Sequence, residues 1–338
     1  MTMGRDEELT PATDIPLSIL RPMFVNMVRT RVLEHRLAEL LVAKEINCPV
    51  HLCAGQEASG SAVISALQPD DYVFGAHRSH GHYLSKGGDI RKLIAEMYGK
   101  SDGCARGRGG SMHILDPSVG FMGTGASVAA TLPMAAGTAM ASQLRNDGRV
   151  TVSFFGDGTM EEGTFHESMN MAASRDLPII FVSENNFYSA HLQLLERRAK
   201  DNLAKSADAH GMPGYVLDGN DALAVYRTAE EAVARARRGE GPTFLENRTY
   251  RYYGHVGPAL DLDVGEKRKD ELIEWQAKDP IPRLRAYLEQ RGVGKEELDA
   301  VDQEAKAEVE DAVNFARQSP YPDPSEVGWY VLAGATEG

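Results

Sequence analysis

A carboxylate and an amide set the first question this chain raises: Asp157 in Gly156-Asp157-Gly158, and Asn186 in Asn185-Asn186, 29 positions later (186 minus 157). Each motif directly follows an apolar run, residues 150–155 and 179–182. Such runs read as buried strands, and residues 162–174 between them have the length and mixed pattern of a helix. Strand, helix, strand in that order makes a unit with parallel strands, and open parallel sheets bind ligands at their carboxyl edge. That edge is where both motifs fall. A carboxylate, an amide oxygen and a nearby main-chain carbonyl make a poor cage for zinc, which prefers nitrogen and sulfur. They make a good partial shell for magnesium, which completes its coordination with phosphates and water. Glycines on both sides of Asp157 let the main chain approach a diphosphate, and the start of the following helix adds N–H groups.

Further elements must carry this edge. Apolar positions Leu17, Leu20, Phe24, Met27, Val32, Leu37 and Leu40 recur at roughly helical spacing, predicting a long helix over 16–46 with Thr13 or Asp14 as its cap. Residues 67–75 read as a turn and a short strand, and 89–98 as a helix. The uncharged stretch 117–144 is too rich in Gly, Ser, Thr, Ala and Pro for a membrane span, so 127–144 reads as a buried helix near a subunit contact. Downstream, 215–217 and 243–250 read as strands and 221–238 as an amphipathic helix. Residues 266–318 alternate charge and apolar side chains as solvated helices do. The expected fold class is therefore α/β, a mostly parallel central sheet flanked by helices, in one domain over 1–338. A helical arm covers about 1–46 and a helical tail about 266–338.

Composition narrows the partners. The chain has 338 residues and a formal charge of -13, with pI near 5.3, which disfavours nucleic acid and anionic membrane. Three cysteines, Cys48, Cys53 and Cys104, form no CxxC pair and cannot all be disulfide-bonded; a reducing cytoplasm fits best. The first residues, MTMGRDEELT, show no export or import signal.

The Gly156-Asp157-Gly158 and Asn185-Asn186 pair, with 26 residues between Thr159 and Glu184 inclusive, is similar to the thiamine diphosphate signature. Four more stretches extend that likeness. They are His77-Arg78-Ser79-His80-Gly81; Gly107-Arg108-Gly109-Gly110-Ser111-Met112-His113; His51 ahead of Gly55-Gln56-Glu57-Ala58; and Tyr250-Arg251-Tyr252-Tyr253-Gly254-His255. Together they resemble the alpha subunit of thiamine diphosphate-dependent 2-oxo acid and acetoin dehydrogenases, from about residue 20 to 290.

The resemblance implies a thiamine diphosphate-binding fold and a set of roles. Asp157, Asn186 and the Tyr188 carbonyl would bind Mg2+. Gly158 and Thr159 would meet the diphosphate through N–H groups, with Arg78 neutralising it and His77 beside it. Val128 would lie under the pyrimidine end, and His255, with Arg251, on a loop closing over the cofactor. His51, His80 and His255 would serve proton transfer in the pocket that takes a small 2-oxo acid or ketol and then a lipoyl group. The carboxylate that activates the aminopyrimidine is absent from the motifs. The resemblance implies that a beta subunit supplies it, in a heterotetramer of two alpha and two beta chains, with a lipoyl-bearing acyltransferase or carrier protein as acceptor.

Three departures from the family pattern bear on substrate and regulation: Tyr253 in place of a histidine, Val256-Gly257-Pro258 in place of a serine-led stretch, and Glu161-Glu162 where Asn leads. The segment 161–167, EEGTFHE, also resembles transketolases, so a split ketol-transferring subunit is one alternative. A non-catalytic scaffold is another.

Overall fold

The computed structural model describes residues 15–262 and 269–328. Eight strands occur among them: β1 (Tyr72–Phe74), β2 (Phe121–Gly123), β3 (Thr151–Gly156), β4 (Ile179–Asn185), β5 (Tyr188–Ser189), β6 (Leu192–Gln193), β7 (Gly214–Asp218) and β8 (Thr243–Arg248). Six form one sheet in the order β2-β1-β3-β4-β8-β7, every neighbour parallel. The other two, β5 and β6, pair as a small antiparallel hairpin just past β4.

Twelve α-helices among the described residues surround the sheet: α1 (Leu17–Val42), α2 (Glu57–Ser65), α3 (His80–Ser85), α4 (Ile90–Met97), α5 (Thr131–Arg145), α6 (Gly163–Ser174), α7 (Leu194–Arg197), α8 (Lys205–Ala209), α9 (Ala222–Arg237), α10 (Lys269–Gln276), α11 (Pro280–Gln290) and α12 (Lys295–Gln318). Central strands β3 and β4 are buried almost throughout, which explains their near-continuous apolar sequence. Their side chains alternate between two cores. Val152, Phe154, Ile180 and Val182 face the layer built with α1, α2, α4, α9 and α12. Phe155, Ile179 and Phe181 face α5 and α6 on the other side.

Several boundaries shift from those read in sequence. Helix α1 stops at Val42 because Ala43 caps it and Lys44 turns into the left-handed region (φ 59°). The expected caps Thr13 and Asp14 lie outside the described residues. The helix read at 127–144 begins at Thr131, and it is half-buried: Leu132, Ala135, Ala136 and Ala139 face Phe155 and Phe165, while Met134 and Leu144 are exposed. The tail helices are not simply solvated either. Leu298, Val309, Ala312 and Val313 form a buried stripe on α12, packed against α1 and α4. All three cysteines are free. No helix among the described residues is long and apolar enough to cross a membrane.

Candidate active site

In the sheet order, the chain steps outward from β1 to β2 and then returns past β1 to β3. A crevice opens beyond the carboxyl ends where that reversal occurs. A cavity of about 220 Å3 lies there, lined by residues that follow β1, β2, β3 and β4. His51, His77, Arg78, Val128, Asp157, Gly158, Thr159, Asn186, Tyr188 and His255 all line it. Ten positions named from the sequence thus converge on one space. Strand pairing explains the closest pair: Gly156 stands opposite Glu184 in the β3–β4 ladder, so Asp157 and Asn186 continue from adjacent strand tips.

The Asp157 carboxyl is 1% exposed. Burial pushes it up from its ordinary value, and Arg197, its ion-pair partner from α7, opposes that shift. A carboxylate this deep is stable only beside a cation. The Asn186 amide has a fixed orientation: its nitrogen donates to Gln56 Oε1 (3.1 Å), and its oxygen accepts from the Tyr188 N–H (3.3 Å). Gln56 in turn donates to Glu184 (3.4 Å), whose other oxygen lies 3.1 Å from His82 Nε2. Glycine is required beside Asp157, since a Cβ on Gly158 would sit 2.4 Å from Ser189 Oγ of the hairpin.

Positive charge stands opposite. Arg78 is 7% exposed and donates to two main-chain carbonyls, Leu52 O and His255 O (3.1 Å), with no carboxylate partner recorded among the described residues. Burial lowers its pKa. Arg251 is fully enclosed; burial, and then Arg78, bring it down to about 9. It donates to Ala190 O (2.5 Å) and lies 3.2 Å from His255 Nδ1. Two buried guanidiniums short of carboxylates favour an anion in the cavity. The same environment holds the nearby imidazoles neutral. Burial first, and Arg78 second, depress His51 to about 3, His77 to about 2 and His255 to about 4.

His80 does not line the cavity, which corrects its expected place in the pocket. Its ring is fully buried, with Nδ1 2.6 Å from Glu34 Oε1 and Nε2 2.8 Å from Ser111 Oγ. Helix α3 begins at His80, so its side chain turns toward α1 while His77 and Arg78, still in the loop, face the crevice. Arg251 is likewise not a lining residue, and reaches the site through His255. The Ser111 contact ties His80 to the Gly107–His113 stretch. That loop is pinned by the buried Glu96 carboxylate, which accepts the N–H groups of Ala105 (2.7 Å), Gly107 (2.8 Å), Gly109 (2.6 Å) and Gly110 (3.2 Å).

Sequence reasoning missed Gln56, His82, Glu184 and Arg197. Gln56 and Glu184 were findable, one inside a quoted motif and the other one residue ahead of Asn185-Asn186. His82 stacks on Phe154 (4.0 Å between centroids) and is placed by α3, and Arg197 by the short α7; neither carries a sequence signal. Tyr253, the departure from a histidine, bonds His35 Nδ1 (2.8 Å) and does not line the cavity.

Comparison with known proteins agrees with this geometry. A family model described as "Dehydrogenase E1 component" matches residues 25–325. The alpha subunit of the acetoin:2,6-dichlorophenolindophenol oxidoreductase of Bacillus subtilis is 40% identical over 307 residues, covering 90% of this chain and 91% of the relative. The pyruvate dehydrogenase E1 component subunit alpha of Porphyra purpurea is 40% identical over 319 residues, covering 92% of each. The somatic mitochondrial form from Homo sapiens is 34% identical over 334 residues, covering 98% of this chain and 84% of the relative. With nearly the whole chain matched and the strand-tip motifs gathered around one cavity, this protein belongs to the dehydrogenase E1 component family.

Proposed function

We propose that this chain is the alpha subunit of a two-chain, thiamine diphosphate-dependent dehydrogenase that decarboxylates a 2-oxo acid or cleaves acetoin and passes the acyl group to a lipoyl arm. One observation carries the reading. Asp157 and Asn186 extend from the tips of hydrogen-bonded parallel strands into one cavity, beside a buried arginine that bonds only main-chain carbonyls among the described residues. Acid and amide oxygens on one side and unpaired guanidinium on the other suit a magnesium diphosphate.

In this reading Asp157, Asn186 and the Tyr188 carbonyl hold Mg2+, and Arg78 neutralises the diphosphate. The glycine at 158 keeps the main chain open to it. When bound, thiamine diphosphate supplies the electron sink for breaking a bond beside a carbonyl. His51, His77 and His255 face the reacting end as neutral imidazoles; a bound diphosphate would offset the Arg78 charge that helps to depress them and return part of the basicity that proton transfer needs. Arg251 holds the His255 ring in place through Nδ1.

The cavity is smaller than the ~300–1,000 Å3 of ordinary ligand pockets. Val128 at its lip is 50% exposed. Both features fit a site completed by a beta subunit, which would add the pyrimidine-activating carboxylate. Titrating Mg2+ and thiamine diphosphate into the Asp157→Ala variant by calorimetry tests the assignment. Loss of magnesium-dependent binding is expected, and undiminished affinity refutes it.

A further inference from the structure

We propose that Arg197 sets the metal preference of the site: by holding one oxygen of Asp157 it leaves a single carboxylate oxygen for the cation, which favours magnesium over calcium. The inference rests on the reading of Asp157 as a metal ligand. Arg197 ends α7, the short helix after the β5–β6 hairpin, and its guanidinium is held on three sides. Nε donates to Leu192 O (3.1 Å), Nη1 to Glu161 Oε1 and Nη2 to Asp157 Oδ2. The side chain is 7% exposed. Two carboxylates thus share one planar fork, each giving it one oxygen.

The direction of approach decides what this hold does. Asp157 lines the cofactor cavity and Arg197 does not; with Glu161, Arg197 borders a separate surface pocket formed by Arg198, Ala199, Lys200 and Asn202. The guanidinium therefore grips Asp157 from outside the cavity, and a cation entering the cavity need not displace it. A Cβ on Gly158 would stand 3.7 Å from Nη1, so the arginine runs alongside the turn that carries Asp157. Glu161 belongs to the Glu161-Glu162 pair that departs from the family pattern. Its charge keeps Nη1 engaged, where an asparagine would be a neutral and shorter acceptor.

Coordination chemistry gives the hold its consequence. Calcium takes ~6–8 oxygens at ~2.3–2.6 Å and readily accepts both oxygens of one carboxylate. Magnesium demands a near-ideal octahedron at ~2.0–2.1 Å, keeps several waters and is satisfied by one oxygen from a carboxylate. An Asp157 pinned at Oδ2 offers what magnesium needs and less than calcium can use. Net charge is a separate effect. Removing Arg197 leaves Asp157 and Glu161 without their shared cation, which raises the attraction for any dication. Both ions carry the same charge, so that gain nearly cancels in the ratio of their affinities, and the ratio reports the freedom of the carboxylate.

The test uses the purified protein, with any partner subunit that isolates with it, in saturating thiamine diphosphate. Calorimetric titrations give the affinities for Mg2+ and for Ca2+ in the wild type and in Arg197→Met, which has a straight apolar side chain and no donor. The wild type should prefer Mg2+. The variant should shift the ratio of Ca2+ to Mg2+ affinity toward calcium by ~10-fold or more, the low end of what loss of an outer-shell partner does to metal binding. An unchanged ratio in the folded variant, or a wild type that prefers Ca2+, overturns the proposal. A crystal structure of the wild type loaded with Mg2+ and thiamine diphosphate keeps it testable should the variant misfold. There Arg197 should still bond Asp157; an arginine swung away, or both Asp157 oxygens on the metal, refutes it. If the wild type binds neither ion with thiamine diphosphate present, the reading of the cavity itself fails and the inference falls with it.

Discussion

At the residue scale, the site separates groups that face the cavity from groups that hold them. His255 faces it, with its ring set by Arg251 and its N–H held by Asp261. Replacing His255 with alanine is therefore expected to leave thiamine diphosphate binding within a few-fold of wild type and to slow lipoyl acylation by the ~10²–10⁴ typical of losing a proton-transfer group. Single-turnover acylation measures this, and an unchanged rate removes the histidine from the mechanism. His80 behaves differently. Buried between Glu34 and Ser111, it links α1 to the loop that carries Ser111, and no sequence feature distinguishes it from His77 three residues earlier. The distinction arises because α3 starts between them, which turns one ring toward the core and leaves the other in the crevice.

At the scale of elements, the β5–β6 hairpin and the turn after β3 are fitted to one another at Gly158. A methyl there meets Ser189 Oγ at 2.4 Å and Ser189 Cβ at 2.8 Å, so the hairpin must shift. Gly158→Ala is expected to destabilise the protein by about 1–3 kcal/mol. It should also weaken cofactor binding. Adding Ser189→Gly removes both clashing atoms and should recover much of each loss, as a double-mutant cycle followed by urea denaturation and calorimetry will report. Additive effects of the two changes would show that the contact is not the cause. The turn itself was legible only in part: the sequence left residues 156–161 between strand and helix without assigning them an element, and they contain a short 3-10 turn over Asp157–Glu161 ahead of α6. Gly158 lies in that turn, where its lack of a side chain lets the hairpin come close.

For the whole molecule, buried neutral histidines make stability depend on pH. His255 is held down at about 4, His51 at about 3 and His77 at about 2, against an ordinary value near 6.5. The unfolded chain then binds protons that the folded chain refuses, so the stability is complete above ~6.5 and is lost as pH falls from there through the folded-state values. Urea midpoints at pH 7.5 and 5.0 should fall further apart in the wild type than in His77→Gln; parallel behaviour would contradict the depressed values. The parallel sheet and the meeting of both motifs at its carboxyl edge were readable from apolar runs ending in Gly156-Asp157 and Asn185-Asn186, because local chain statistics and strand parity are written residue by residue. The order β2-β1-β3-β4-β8-β7 was not, since it depends on contacts between segments far apart in sequence. By itself the sequence determined that a carboxylate and an amide of types suited to a cation follow two strands, and so lie on strand tips. Only the tertiary structure decided that Arg197 pairs with Asp157, that Gln56 and Glu184 orient Asn186, and that His51, His77 and His255 meet as one cluster. Each of those contacts joins separate loops whose approach is set by packing across the sheet, which no local pattern encodes.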